Sequence, residues 1–140
     1  MSATPFNQKT IDEFHAKNGR GVGFWGDNLL LLTSKGASTG TEITTPLVCR
    51  RSGNDYIVVA SKGGAPDNPT WFRNIQVNPL VDIEVASPDG TEHHKVRARV
   101  ADPVERDRLY AFMTEVWPAF ADYALKTERL IPVVVLEPAD

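Results

Sequence analysis

The stretch at residues 61–74, "SKGGAPDNPTWFRN", carries the strongest structural signals in the sequence. The apolar run "YIVVA" leads into it, and a glycine-rich turn is followed by a tryptophan–phenylalanine pair. Asn68 is a suitable helix N-cap, and Pro69 is favoured at the first helical position. The pattern therefore predicts a strand, a glycine loop and a short helix. That helix should end near Asn78-Pro79, since the residue before a proline is disfavoured in the helical region.

The glycine loop supports two interpretations. Gly63 and Gly64 would let backbone N–H groups approach a ligand closely, the helix N-terminus favours an anion, and Lys62 adds a full positive charge. Trp71 and Phe72 could then flank a planar ring. The same residues also suit a plain strand-to-helix connection with Trp71 in the core, and the loop taken alone favours that simpler account.

The residues before the loop predict one helix and three strands. Residues 6–17 place Phe6 and Phe14 on one face of an amphipathic helix, whose mixed polar face favours packing on the domain over membrane contact. Three strands are expected from "LLLLTS", buried on both faces, from "EITTPLVCR", in which Pro46 needs an edge or a bulge, and from "YIVVAS". Short turns join these strands, which indicates an antiparallel meander.

The residues after the loop predict a hairpin, an interrupted helix and a last strand. In the second arm of the hairpin, Val96, Ala98 and Val100 alternate with basic residues, so they should lie on a buried face. Asp102 begins a helix through a capping-box pattern, Pro118 interrupts it, and a second piece runs to about residue 126. "IPVVVLEP" is the final strand. The fold class is therefore α+β, with mainly antiparallel strands closed into a small barrel to avoid exposed edges.

The composition is that of an ordinary soluble chain. The sequence has 140 residues, 41% hydrophobic and 24% charged, with a net charge of −3, which suits one domain over residues 1–140 and disfavours nucleic-acid binding. The single cysteine, Cys49, cannot form an intramolecular disulfide. With no membrane span or signal peptide in the pattern, we expect a cytoplasmic protein.

Other chemistries have weaker support. "GASTG" at residues 36–40 matches the G-x-S-x-G nucleophile pattern, but a strand rather than a helix is predicted after it. His15, His93 and His94 lack metal-ligand spacing, so no metal site is expected. The basic residues that alternate along residues 95–99 are better explained as a solvated strand face.

The order of these segments resembles the deazaflavin-dependent nitroreductase family, within the FMN-binding split-barrel oxidoreductases. The resemblance spans residues 29 to about 138, and its most specific part is "ASKGGAPDNPTWFRNIQVNP". It implies a split β-barrel over residues 29–138, preceded by a helix and a turn-rich lead-in at residues 1–28. It also implies coenzyme F420 and hydride transfer to a small planar hydrophobic acceptor, such as a quinone, a nitroaromatic or an enone.

The resemblance also implies a set of site residues. Tyr123 could donate a proton or a hydrogen bond to the substrate, and Ser61 could contact the ring or the substrate. Trp71, Phe72, Trp117 and Phe120 would form apolar walls. The cofactor-binding positions are Lys35, Ser38, Thr39, Thr45, Pro46, Leu47, Ser61, Lys62, Gly63, Pro69, Trp71 and Asn74.

The sequence departs from the family pattern at two places. The family usually has a basic pair that holds the cofactor phosphate where this chain has Ala37 and Ser38. Charge-assisted hydrogen bonds are the stronger ones, so we expect weaker F420 binding, a shifted tail or loss of binding. Of the tyrosines that the family typically has on the substrate side, this chain keeps only Tyr123. The alternatives are a split barrel that binds FMN and a non-catalytic carrier of a cofactor or small molecule. An apolar barrel face could also support a homodimer.

Overall fold

Six antiparallel strands close into a barrel in the computed structural model, which describes residues 5–23 and 26–139, with side chains from residue 7 onward. The strands follow the order β1-β2-β3-β6-β5-β4, and β4 pairs back onto β1. The predicted α+β class and antiparallel barrel are confirmed. Their bounds are β1 (Leu29–Lys35), β2 (Glu42–Ser52), β3 (Asp55–Val59), β4 (Leu80–Ser87), β5 (Gly90–Val100) and β6 (Val133–Pro138).

Four α-helices accompany the barrel in the described part of the chain. They are α1 (Pro5–Ala16), α2 (Thr70–Val77), α3 (Pro103–Thr114) and α4 (Ala119–Lys126). The predicted cap of α3 is confirmed, because Asp102 Oδ1 accepts a hydrogen bond from the Glu105 N–H at 2.9 Å. The predicted cap of α2 is wrong. Pro69 occupies the N-cap position, and the side chain of Asn68 instead accepts a hydrogen bond from Arg129 at 2.8 Å.

The leucine run in β1 is buried on both faces, as predicted. Leu30 and Leu32 point into the barrel, where the apolar face of α2 packs on them. Leu29 and Leu31 lie on the outer face beneath Phe14 of α1. The expected apolar position of Phe6 lies outside the described side chains. One continuous apolar run therefore joins the barrel interior to the N-terminal helix.

The predicted buried face of β5 is correct for two residues and wrong for the third. Val96 and Ala98 are buried, but Val100 is 42% exposed. The β4 ladder ends at the pair Leu80–Arg97, so Val100 has a strand neighbour only on the β6 side. A residue beyond the end of a neighbouring strand still points to the same face of the sheet, but that strand no longer shields it from solvent.

The barrel opens between β2 and β3. These strands pair only from Cys49–Val58 to Ser52–Asp55, and the earlier half of β2 pairs with β1 alone. Pro46 lies in that earlier half, opposite Leu31, so its predicted edge-like position is confirmed. A proline fits there because no second ladder requires its missing N–H. The opening leaves a cleft at the ends of the two strands.

Helices α3 and α4 cover the outer face of β3 and β6. Leu109, Met113 and Phe120 are buried in one cluster with residues of both strands. No helix in the described ranges is long and apolar enough to cross a membrane. The division of the chain at residue 28, the single-domain organisation and the cytoplasmic location stay predictions.

Candidate functional site

A cavity of about 300 Å³ lies at the cleft between β2 and β3. It is bordered by the early half of β2, the end of β3, the loop after β3, and the start of α2. Residues from the α3–α4 region close another side. Its lining residues are Asn7, Thr45, Pro46, Leu47, Val48, Val59, Ser61, Lys62, Gly63, Pro69, Trp71, Trp117, Phe120 and Tyr123.

The loop after β3 has an unusual backbone. Lys62, Gly63 and Gly64 all have positive φ angles, of 48°, 63° and 86°. For a side-chain-bearing residue such as Lys62, the left-handed region costs about 1–2 kcal/mol. A Cβ atom at Gly63 would meet nothing within 4 Å, so the backbone there faces open space at the cavity wall. A ligand could therefore approach the main chain at this point.

Gly64 sets the distance between this loop and α4. A Cβ atom at Gly64 would lie 2.9 Å from the carbonyl oxygen of Tyr123 and 3.0 Å from Cβ of Lys126. Only a glycine permits this close approach. The contact holds the second half of α4, which includes Tyr123, against this loop.

Three hydroxyl groups carried by residues that line the cavity have no hydrogen-bond partner among the described residues. They belong to Thr45 on β2, Ser61 on the loop and Tyr123 on α4. Ser61 is only 9% exposed, so little of its surface contacts bulk solvent. Polar groups that converge on an otherwise apolar cavity are typical of small-molecule sites.

Lys62 is the one charged residue in the described lining of the cavity. Its Nζ atom lies 3.1 Å from Oδ2 of Asp67, and both side chains are exposed. The hydrogen bond from Lys62 is the main reason that the pKa of Asp67 lies below its usual value. The lysine is thus held at the mouth of the cavity by an acid of its own loop.

Aromatic side chains form the apolar walls. The cavity is lined by Trp71 of α2, by Trp117, which precedes α4, and by Phe120 of α4. Phe120 also packs against Tyr123, with ring centroids 5.9 Å apart and planes at 73°. Phe72 does not line the cavity. It is buried with Trp71 in the cluster that fills the barrel interior, but of the two only Trp71 also lines the cavity.

Four residues predicted to bind the cofactor are not part of the cavity lining. Asn74 is 2% exposed, and its Oδ1 accepts a hydrogen bond from the Ala37 N–H at 3.0 Å, so it fixes the β1–β2 turn to α2. Ser38 and Thr39 are exposed in that turn, and Lys35 borders a separate surface depression. These positions lie outside the cavity, in or next to the β1–β2 turn.

The weaker chemistries have no supporting geometry. The "GASTG" turn leads directly into β2, whereas a nucleophile elbow needs a helix there. His93 and His94 are exposed beside Glu84 and Glu92. Within residues 5–23 and 26–139, no three His, Cys, Asp or Glu side chains are grouped to hold a metal ion.

Sequence reasoning missed two contributors to the site. Asn7 of α1 reaches the cavity across the barrel surface, which no local pattern in residues 6–17 indicates. Arg129 contacts the loop through four hydrogen bonds although more than 60 residues separate it from that loop. An isolated arginine in a turn carries no periodic signal, so only the tertiary structure reveals it.

These features fit a flat, anionic cofactor. The cavity volume lies at the low end of the range for small-molecule sites, about 300–1,000 Å³, so it suits a ring system with its polar tail outside. Lys62 and the open backbone at Gly63 lie at the edge of this cavity. The barrel, its seam between β2 and β3 and this cavity match what the sequence resemblance implies, the class of split-barrel oxidoreductases of the flavin and deazaflavin type.

Comparison with known proteins identifies the family. Residues 7–138 match the family described as F420H(2)-dependent quinone reductase, and the chain belongs to it. It is therefore an F420-dependent oxidoreductase that acts on a small-molecule substrate. The chain is 40% identical over 110 residues to the F420H(2)-dependent quinone reductase of Mycobacterium tuberculosis strain H37Rv, covering 76% of this chain and 71% of the relative.

Two solved structures extend the likeness to three dimensions. An F420-H2 dependent reductase, FDR-A, is 34% identical with a TM-score of 0.69, and covers 79% of this chain and 94% of its own. A second chain, described as a domain-swapped dimer, is 31% identical with a TM-score of 0.72, and covers 94% of this chain and 96% of its own. The split-barrel fold and the cofactor expected from the resemblance are both confirmed.

Proposed function

We propose that this protein reduces quinones, and that the cavity between β2 and β3 is where F420 and the quinone meet. The observation that carries the proposal is the convergence of three distant segments on one cavity. Nine of the expected site residues line it: Thr45, Pro46, Leu47, Ser61, Lys62, Gly63, Pro69, Trp71 and Tyr123. Bound F420H2 supplies the hydride, and the protein supplies position, electrostatics and a dry site.

The binding roles follow from the chemistry of each wall. Lys62 and the backbone at Gly63 hold anionic groups of the cofactor, and the β2 backbone around Pro46 borders the ring. Ser61, with its unpartnered hydroxyl, donates a hydrogen bond to the ring or to the developing anion of the substrate. Lys35, Ser38 and Thr39 contact the outer part of the tail, because the β1–β2 turn lies beyond the cavity.

Tyr123 acts on the substrate side. Its ring is fixed by Phe120 and its hydroxyl borders the cavity, so it can donate a proton or a hydrogen bond to the reduced product. Trp71, Trp117 and Phe120 enclose a planar acceptor and exclude water. A quinone suits this site because it is flat, has apolar ring faces and develops negative charge on its carbonyl oxygens on reduction.

The first test is a titration with F420 followed by tryptophan fluorescence. Trp71 and Trp117 line the cavity, so binding should quench emission at micromolar cofactor. Quenching by FMN with none by F420 would favour the FMN-binding alternative. Binding of F420 without oxidation of F420H2 by a soluble naphthoquinone would indicate a carrier.

The second test replaces Tyr123 by phenylalanine. Loss of a general acid typically costs about 10²–10⁴-fold, so kcat with a quinone should fall at least tenfold while F420 affinity stays unchanged. The matched control is Tyr56→Phe, because Tyr56 lies near the β2–β3 turn and lines a different surface depression. Equal rates for both variants would remove Tyr123 from the mechanism.

We also propose that the chain forms a homodimer. The related chain that is 31% identical is described as a domain-swapped dimer. Leu125 and Leu130 are 86% and 63% exposed in and after α4, which gives this chain apolar surface that a second copy could cover. Light scattering during gel filtration should then give twice the mass of 15.4 kDa.

A further inference from the structure

The guanidinium group of Arg129 encloses the loop that carries Lys62. Its Nε donates to the carbonyl oxygen of Ala65 at 2.8 Å, and its Nη2 donates to that of Ser61 at 2.7 Å. Its Nη1 donates to the carbonyl oxygen of Ala60 at 3.3 Å and to Oδ1 of Asn68 at 2.8 Å. One side chain thus joins both ends and the middle of residues 60–68.

The loop needs such an external tie. Three successive residues, Lys62, Gly63 and Gly64, have left-handed backbone conformations. Within the loop only two backbone hydrogen bonds restrain them, Gly64 N–H to Ser61 O at 2.9 Å and Ala65 N–H to Lys62 O at 3.1 Å. At Lys62, the one of the three that has a Cβ atom, this conformation is strained, and such strain persists only where the surroundings over-determine it.

We propose that Arg129 is a positioning residue for the cofactor site, which holds the loop at residues 60–68 in the conformation that binds F420. Arg129 is not part of the cavity lining and acts through Ser61, Lys62 and Gly63. The inference rests on the proposed function of the cavity. When only a fraction of the molecules has the loop in its binding conformation, the apparent Kd equals the intrinsic Kd divided by that fraction.

Lysine cannot replace arginine in this role. The acceptors of Arg129 lie in several directions, and the planar guanidinium offers five N–H groups in a fixed fork. The ammonium group of a lysine has the same charge but a single nitrogen, so it reaches fewer of the four oxygens. Arg129→Lys therefore keeps the charge and loosens the loop.

The experiment compares Arg129→Lys with Arg106→Lys. Arg106 also donates to a backbone carbonyl of the same segment, that of Ile131 at 2.9 Å, but it makes no contact with the loop. We expect the Kd for F420, from tryptophan quenching, to rise about tenfold for Arg129→Lys and less than twofold for Arg106→Lys. Thermal unfolding of both variants tests whether each is folded at the assay temperature.

Two further measurements separate positioning from general stability. With F420H2 as the varied substrate, Arg129→Lys should raise KM and leave kcat at saturation within about twofold. Asn68→Ala removes one exposed acceptor with little risk to folding and should raise the Kd about twofold to threefold, remaining measurable if Arg129→Lys fails to fold. An unchanged Kd in Asn68→Ala and in a folded Arg129→Lys overturns the inference. Failure of the wild-type protein to bind F420 would instead refute the proposed function.

Discussion

At the scale of single residues, the balance between Lys62 and Asp67 governs how strongly the cavity attracts an anion. The basic pair of the family pattern is absent at Ala37 and Ser38, so Lys62 is the cation that the described lining offers. Oδ2 of Asp67 lies 3.1 Å from Nζ of Lys62, and its negative charge lowers the positive potential that an anionic ligand meets. If Lys62 holds the cofactor as proposed, this acid of its own loop competes with the cofactor for the lysine.

Asp67→Asn should therefore strengthen cofactor binding. We expect the Kd for F420 to fall about threefold at low ionic strength, with a smaller effect at high salt because exposed charges are screened. The measurement is the tryptophan-quenching titration at two salt concentrations. Asp89→Asn, in the exposed β4–β5 turn, is the control for net charge, and equal changes in both variants would mean that Asp67 does not compete.

At the scale of structural elements, the contact between the glycine loop and α4 positions the two sides of the site. Gly64 lies against the backbone of α4, whereas Gly63 faces open space although both have positive φ. The two glycines are adjacent and both have left-handed backbone conformations. They differ in what a side chain would meet.

Alanine substitutions should separate these contributions. Gly63→Ala should lower the free energy of unfolding by about 1–2 kcal/mol, the cost of the left-handed region alone. Gly64→Ala adds a clash worth about 1–3 kcal/mol, so its total loss should be roughly twice as large. Urea denaturation of the cofactor-free protein measures both values. Equal losses would show that α4 moves away without cost.

At the scale of the whole molecule, two carboxylates that join separate structural elements have lowered pKa values. Burial of Glu84 raises the pKa of its carboxyl group, but hydrogen bonds from Thr91 and His15 outweigh this effect, and the net pKa lies below 4.5. The hydrogen bonds from Arg99 likewise lower the pKa of Glu105. Both carboxylates join elements, since His15 lies on α1 and Arg99 on β5.

Stability should consequently fall in acid. A carboxyl group whose pKa is lower in the folded state contributes stability above its unfolded pKa and loses it as the pH drops through the folded pKa. We expect an unfolding midpoint that is constant near neutrality and falls below about pH 4.5. Thermal scans at several pH values test this, and Glu84→Gln should be less stable at pH 7 with a shallower fall. A midpoint that rises in acid would contradict the assignment.

The sequence predicted the elements of the fold more reliably than their exposure. The four-leucine run indicated a strand buried on both faces, and Asp102 indicated the start of α3, because both signals are local. Val100 and Phe72 were misassigned for a common reason. Their environments depend on where a neighbouring strand ends and on which side of a helix meets the barrel.

The candidate site was predicted in part. Residues on the loop, on β2 and at the start of α2 could be located from the resemblance, and they meet at one cavity. Asn7 and Arg129 could not be found, because their roles arise from contacts across the barrel. Lys35, Ser38 and Thr39 lie beyond that cavity, and their contacts with the cofactor stay a prediction.

The sequence by itself determined the α+β class, the order of strands and helices, and the glycine loop with its single lysine. These follow from periodicity, caps and turn residues, which act over a few neighbours in the chain. Only the tertiary structure decided where β2 and β3 separate, which hydroxyls converge on the gap, and that Arg129 holds the strained loop. Such features depend on contacts between segments far apart in sequence, and no local pattern encodes them.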